Sequence, residues 1–398
     1  MNALVIVVAQ LRRRPLQTVL SVLLLALGVA TMVFVLLLHT QLARQITRDV
    51  QGVDVVVGAK GSPLQLILSA VYHVDIPTGN VPLAVVEQLR ANRFVSKVIP
   101  LALGDNVQGF RIVGTEPALV EHYGARLAAG ALWSERMQAV VGAQVARQAN
   151  LSVGSRFSGA HGLAIGGPLH EDAEYRVVGV LAATGTVLDR LALTGIESIW
   201  FTHEGDADSQ EGKMLKTERE VTALLVQYAS PLAAALLPRQ INAEPKLMAA
   251  VPASELARLF AVVGVGIDTL RAFALILFGA ALIAMFIALT SALEERRYDI
   301  AVMRMLGASR SRVATMLLME GWLLALIALL LGTCLGFAAV QIVGTWMAQS
   351  RSFSVSAWAW TPELIGVLAI ALAVATVAAL IPAWRASRMD VHATLAEG

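Results

Sequence analysis

The stretch "EERRYDIAVMRMLGASRSRV", Glu294–Val313, places five arginines and three carboxylates between two of the most apolar segments of the chain. Each arginine at the centre of a bilayer costs about 2.5–3.5 kcal/mol on the insertion scale, so this stretch is forced out of the hydrocarbon. Setting the orientation of the neighbouring segments needs only about two or three positive residues, and the surplus asks for a second reason. Ile300, Met303 and Leu306 recur at helical spacing, with arginines elsewhere around the helix. Gly307 supplies a C-terminal stop, and Ser309 is placed to cap the helix that follows. The residues predict a short, charged, amphipathic helix held between two apolar segments. Such a helix has the form of a docking element for a cytosolic partner, and a purely topogenic loop is the plainer alternative.

The rest of the chain sets that element in context. It is 57% hydrophobic and 15% charged, with mean hydropathy +0.67, against about 25% charged residues in a soluble domain. The net charge of +2 is too small to indicate nucleic acid. A lone cysteine, Cys334, excludes an intrachain disulfide and any Cys-based metal pattern. Four apolar runs reach the roughly 20 residues that span a bilayer, at 17–38, 269–293, 313–347 and 362–382. The first follows Arg12, Arg13 and Arg14; its core is too long for a signal peptide and lacks a cleavage site, so it reads as an uncleaved anchor. Positive residues cluster before the first run, between the second and third, and after the fourth at Arg385 and Arg388. The short 348–361 loop has only Arg351, with Trp358 and Trp360 as an interfacial belt. The positive-inside rule then places both termini and the 294–312 segment in the cytoplasm. Residues 1–16 read as an interfacial helix or a frayed terminus, and 383–398 as a cytoplasmic tail.

The 39–268 segment is expected outside, as a large mixed α/β domain, with 39–115 and 220–268 forming a discontinuous subdomain around an inserted 116–219. Strands are expected at "VDVVVGAKG", "VSKVIPLAL", "FRIVGTEP", "EYRVVGVLAATGT" and "SIWFTHEG", and helices at "PLAVVEQLRANRF" and within "SPLAAALLPRQIN". The fold class is thus an α-helical membrane protein with four transmembrane helices plus this extracytoplasmic domain. No catalytic set is evident. Lys60 and Ser62 lack a third group. "GDADSQEGKM" fails the phosphate-loop pattern because Met214 stands where Ser or Thr is required. His161 and His170, with Glu171, Asp172 and Glu174 nearby, match no strong zinc spacing and read as a solvated loop, with a metal or partner contact as the minor alternative. Glu320, within the third run, is expected to snorkel rather than to pair with an arginine.

The charged stretch resembles the signature of the FtsX/MacB-type permease superfamily of ABC transporters. Glu295, Arg296, Asp299, Ile300, Arg304, Gly307 and Ala308 occupy that pattern, and Pro382, Ala383, Ala386, Asp390 and Leu395 resemble the family's ending, with Val391 in place of the usual proline. The order of one span, a large outer domain, three spans and a short tail is similar over the whole chain, and points to the MacB-like or LolC/LolE-like branch without a fused ATPase. The resemblance implies a non-enzymatic permease subunit of the bacterial inner membrane that couples ATP hydrolysis elsewhere to movement outside. It implies two copies of a cytosolic ABC ATPase, a second permease as homodimer partner, contact with membrane lipid and, in some members, a periplasmic adaptor or lipoprotein. No cofactor, metal or nucleic acid is expected on this chain; ATP and Mg enter through the ATPase, consistent with the absence of a GxxxxGK[ST] sequence. By analogy the coupling surface comprises Glu294, Glu295, Arg296, Arg297, Asp299, Ile300, Arg304, Leu306, Gly307 and Ala308. The alternative from another class is an FtsX-like membrane anchor that regulates a cell-envelope enzyme.

Overall fold

The computed structural model describes residues 3–162, 169–204, 219–349, 358 and 360–388. Two compact units divide the chain: Met1–Leu42 with Val263–Gly398, and Ala43–Val262.

The first unit is helical. It contains α1 (Ala3–Arg13) and most of α2 (Pro15–Asp49). In the second unit follow β1 (Val55–Ala59), α3 (Pro63–Ala70), β2 (Val81–Pro82), α4 (Ala84–Arg90), β3 (Val95–Val107), β4 (Phe110–Thr115) and α5 (Ala118–His122). Then come β5 (Leu127–Gly130), β6 (Gln138–Val141), α6 (Ala143–Gln148), β7 (Arg156–His161), β8 (Leu169–Leu181), β9 (Ala192–Gly195) and α7 (Ile196–Glu204). The unit ends with β10 (Glu220–Val221), β11 (Ala223–Tyr228), α8 (Pro231–Asn242), β12 (Leu247–Ala250) and the start of α9 (Pro252–Glu295). The chain returns to the first unit with the remainder of α9, α10 (Arg297–Met305), α11 (Arg310–Gln349) and α12 (Pro362–Ser387).

Among the described residues, four helices are long and apolar enough to cross a membrane: Pro15–Asp49, Pro252–Glu295, Arg310–Met347 and Pro362–Ser387. Lipid tails are as apolar as leucine, so such helices associate by close backbone approach and van der Waals packing. Small residues provide that approach. A Cβ on Gly332 of α11 would lie 2.6 Å from the Ala26 carbonyl oxygen of α2, and one on Gly336 would lie 2.8 Å from Val33. Ala371, Ala375 and Ala379 line the buried side of α12, and a Cβ on Gly321 of α11 would meet Ala379 at 2.6 Å. Trp322 adds an interhelical hydrogen bond, donating Nε1–H to Thr376 Oγ1 at 3.0 Å. Trp360 meets Phe337 edge-on, with centroids 5.4 Å apart, as suits the end of a spanning helix.

At about 1.5 Å per residue, the 35 residues of α2 and the 44 of α9 far exceed a hydrocarbon core of about 30 Å. Both helices therefore run well beyond the apolar runs at 17–38 and 269–293, and each unit boundary falls inside one of them.

The second unit is built on a ten-stranded sheet in the order β12-β1-β11-β3-β4-β9-β6-β8-β5, with β7 joined to β3 and β8. Two hydrophobic cores share it. Val55, Val57, Val98, Leu224 and Val226 pack with Val86 and Leu89 of α4 and Leu237 of α8 in one. Phe110, Ile112, Val141, Tyr175 and Val177 pack with Val145 of α6 and Ile199 of α7 in the other. Val98 of β3 lies in the first core and Val107 of β3 in the second, so β3 runs from one core into the other. Ser62, read as a lone hydroxyl, caps α3 through the Gln65 amide at 3.4 Å. In the "SIWFTHEG" segment, expected as a strand, Ser198–Glu204 are helical within α7. Its buried Ile199 and half-buried Ile196 and Trp200 fall at helical spacing, which a short apolar run cannot reveal by itself.

The last turn of α2 is fastened into this unit. Asp49 accepts from Arg190 Nη2 at 3.0 Å, with both side chains almost wholly buried. Tyr123 donates to the Asp49 carbonyl oxygen at 2.7 Å and Tyr72 to that of Ile46 at 3.0 Å. Removing one member of a buried ion pair strands the other charge, at a cost of about 3–5 kcal/mol. Arg190→Met in the purified full chain is therefore expected to make the second unit cleave sooner in limited proteolysis; an unchanged cleavage rate would show that the pair does not hold α2.

Candidate functional site

The charged stretch forms α10, and its two faces have opposite roles. The chain leaves α9 at Glu295, breaks at Arg296 (φ −106°, ψ 9°) and re-enters helix at Arg297. Ile300 and Ala301 are buried, Ile300 against Leu293, Val313, Leu317, Ala383 and Ala386, so the ends of α9, α11 and α12 meet under this face. Tyr298, Val302, Met305 and Leu306 form the other face, at positions i, i+4, i+7 and i+8. They are exposed despite their apolar side chains, Leu306 at 83%.

The end of α10 is fixed by backbone geometry. Gly307 has φ +98°, its N–H bonds the Arg304 carbonyl at 3.1 Å, and the Ala308 N–H bonds the Met303 carbonyl at 3.0 Å. These two bonds make a Schellman motif, in which a glycine at the left-handed position lets the chain turn sharply. Ser309 caps α11 as its position predicts, its Oγ accepting from the Arg312 amide at 3.3 Å.

Ion pairs seat the helix. Arg296 Nη1 lies 3.3 Å from Glu320 Oε2, with both groups mostly buried, and Glu295 pairs with Arg14, the residue just before α2. Glu320 thus pairs instead of snorkelling, because the break at Arg296 brings the guanidinium to its level on α11. Of the residues assigned to the coupling surface, Glu294, Glu295, Arg297, Asp299, Leu306 and Gly307 are exposed. Arg304 and Ala308 are half-buried, whereas Ile300 and Arg296 face inward and hold the helix. Tyr298, Val302 and Met305 complete the outward face. The i, i+4, i+7 signal for them was present in the sequence but was overshadowed by the Ile300–Met303–Leu306 series.

In the second unit the histidines lie on regular structure. His161 closes β7 and His170 lies at the start of β8, with the intervening 163–168 and the side chains of Glu171 and Asp172 outside the described residues. The solvated-loop reading is therefore corrected: strand pairing brings both rings beside Asp105 of β3, and α7 brings His203 to the same place. Burial lowers the His170 pKa from the usual imidazole value, with Asp105 acting in the opposite sense. The rejected "GDADSQEGKM" segment, Arg351, Asp390, Val391 and Leu395 fall outside the described residues.

Residues 18–244 match the MacB-like periplasmic core domain, and residues 271–391 match the FtsX-like permease C-terminal domain. The chain belongs to the FtsX/MacB-type family of ABC transporter permeases. The periplasmic region of MacB from Actinobacillus actinomycetemcomitans is similar at 12% identity, over 54% of this chain and 95% of that one, with a TM-score of 0.34. The extracellular domain of the noncanonic ABC-type transporter YknZ from Gram-positive bacteria is similar at 13% identity, over 49% and 98%, with a TM-score of 0.30. No curated protein matches the chain. Family membership and four spanning helices make this permease a multi-pass membrane protein whose mixed α/β domain is inserted after the first of them.

Arg296 and Glu320 test whether α10 is held from within. Arg296→Met leaves Glu320 without its partner, and the double variant Arg296→Met/Glu320→Leu removes both charges. The single variant is expected to lower the Tm of the detergent-purified permease and the double variant to recover most of it. Equal Tm values for all three proteins would mean that the pair contributes nothing.

Proposed function

We propose that this permease transmits work from a separate cytosolic ABC ATPase to its outer domain, driving export or extraction of a substrate. The observation that carries this reading is the exposed apolar face of α10 beside charged Glu294, Arg297 and Asp299, on a helix whose other face is anchored in three membrane helices. A soluble protein seldom leaves such a stripe uncovered, and a cytosolic partner with a matching groove would bury it. The chain itself holds no nucleotide in this account; ATP and Mg act in the ATPase. Two permeases, each gripped by one ATPase, would bring two α10 helices together when the ATPases close. Helices α2 and α9 then supply the route outward, since each is continuous from the spanning region into the second unit, and Arg190, Tyr72 and Tyr123 fix the end of α2 there. The termini and α10 lie on the cytoplasmic side of the bacterial inner membrane, with a periplasmic adaptor or lipoprotein as a further partner of the outer domain.

The FtsX-like alternative, regulation of a cell-envelope enzyme, uses the same grip and differs in what the outer domain touches. Crosslinking of that domain separates them, through capture of an envelope hydrolase or of an adaptor or lipoprotein.

Burial of one large aliphatic side chain contributes about 1.5–3 kcal/mol, roughly ten- to hundredfold in affinity. Leu306→Glu is therefore expected to cut recovery of a co-purifying ABC ATPase at least tenfold while leaving the permease Tm unchanged, because the Leu306 side chain is largely exposed. Undiminished ATPase recovery would overturn the reading.

A further inference from the structure

Asp105, His161, His170 and His203 come from four elements of the second unit and converge on one point. Asp105 and His161 are register partners across β3 and β7. His170 follows on β8, which pairs with β7, and His203 lies in the last turn of α7. The Asp105 Oδ1 atom is 3.6 Å from His161 Nδ1, 3.6 Å from His170 Nε2 and 3.4 Å from His203 Nε2. All four potential donor atoms lie within 4.8 Å of one another.

These distances are long for hydrogen bonds, which cluster near about 2.9 Å. They fit ligands of a shared ion. A tetrahedral centre with bonds of about 2.0–2.1 Å has ligand–ligand edges of about 3.4 Å. The three oxygen–nitrogen edges already have about this size, and the nitrogens, within 4.8 Å of one another, draw together to complete the set when an ion binds.

The carboxylate also lacks compensation. Asp105 is wholly buried, and neither oxygen has a hydrogen-bond partner among the described residues; the same holds for His170 Nε2. Its only ion-pair contacts there are the three imidazoles. Arg111, the buried cation whose charge reaches Asp105, donates Nη2 to the Asp75 carbonyl oxygen at 2.7 Å. A buried carboxylate left without hydrogen bonds or a cation in direct contact is costly, and a divalent ion bound at the converging nitrogens removes that cost. Access exists, since the His161 side chain is 48% and the His203 side chain 32% exposed. Gly104 leaves room for the His203 ring, because a Cβ there would stand 3.0 Å from Nε2.

We propose that these four residues form a mononuclear site for a zinc-class divalent transition metal. Three imidazoles and one carboxylate suit Zn²⁺ and its neighbours; oxygen-only cations such as Ca²⁺ and Mg²⁺, and thiolate-seeking Cu⁺, are poorly served. Four protein ligands fill a tetrahedron and leave no position for an activated water. The ion therefore clamps α7 to β3, β7 and β8 and makes the outer domain responsive to metal, without a hydrolytic role. Spacing could not expose this site, because Asp105 and His203 lie far from the two histidines in sequence and are brought in by strand pairing and a helix.

The test uses the full chain, purified in detergent, stripped with a chelator and titrated with Zn²⁺ and with Co²⁺. The expected result is one equivalent bound, the intense visible absorption of tetrahedral Co²⁺, and a Tm that rises with Zn²⁺. Changes to groups behind a metal ligand cost about 10–100-fold in affinity, so loss of a ligand in His170→Ala or Asp105→Asn should weaken Zn²⁺ at least 100-fold. His161→Ala alters a half-exposed side chain and guards against a folding artefact: its metal-free Tm should equal that of the unaltered chain while the Zn²⁺-dependent rise disappears. Absence of stoichiometric binding, or equal affinity in all variants, would overturn the proposal. So would a stability that follows imidazole protonation alone and ignores Zn²⁺, since the cluster would then be an ion-paired network. None of these readouts involves the ATPase.

Discussion

The buried contact between Arg296 and Glu320, laid over Ile300 and its apolar neighbours, is the constraint on which the rest of the membrane unit depends. A charged helix between two spans has no intrinsic reason to keep one face outward; short helices are marginal in water and take their orientation from what they pack against. Here a guanidinium is drawn inward by a carboxylate on α11, and Ile300 is drawn inward by the ends of three helices. With that face committed, the Tyr298–Val302–Met305–Leu306 stripe has nowhere to turn except toward solvent. The Schellman turn at Gly307 and the Ser309 cap then start α11 at once, only a few residues after α10 ends.

The same economy of movement runs through the helices themselves. Gly332 and Gly336 on α11 and the alanines of α12 bring backbones close enough for van der Waals packing to hold the spanning segments together beyond the Arg296–Glu320 contact. Packed interfaces of this kind shift between discrete arrangements and do not deform continuously. In the proposed mechanism the long α2 and α9 carry such a shift outward, and the Asp49–Arg190 pair resists slippage where α2 ends.

The sequence exposed what depends on composition and on local order. Apolar runs gave the four spans, alternating or continuous apolar residues gave β1, β3, β4 and β8 among the strands, and Gly307 and Ser309 announced their caps through the conformations those residue types favour. Contacts between distant residues stayed hidden. Glu320 lies more than six helical turns from Arg296 along the chain, and only the break before α10 brings them together. At 3.6 residues per turn, Leu306 lies about 120° around the helix from Ile300, so the two cannot share a face, and the helices packed beneath α10 decide that Ile300 is the one turned inward. The "SIWFTHEG" segment reads as a strand because its three apolar or aromatic residues, Ile199, Trp200 and Phe201, are too few to separate a period of two from one of 3.6. That misreading also concealed His203, and with it the Asp105 cluster, whose members meet only through the register of β3, β7 and β8.

The most direct measurement is site-specific photocrosslinking in native membranes, with a photoreactive residue placed singly at Tyr298, Val302 or Met305 and, for comparison, at Ile300. The account predicts crosslinks to a cytosolic ABC ATPase from the three outward positions, and from Ile300 only intrachain products. Crosslinks to the ATPase from Ile300, or none from the outward face, would contradict the claim that α10 is anchored on one side and gripped on the other.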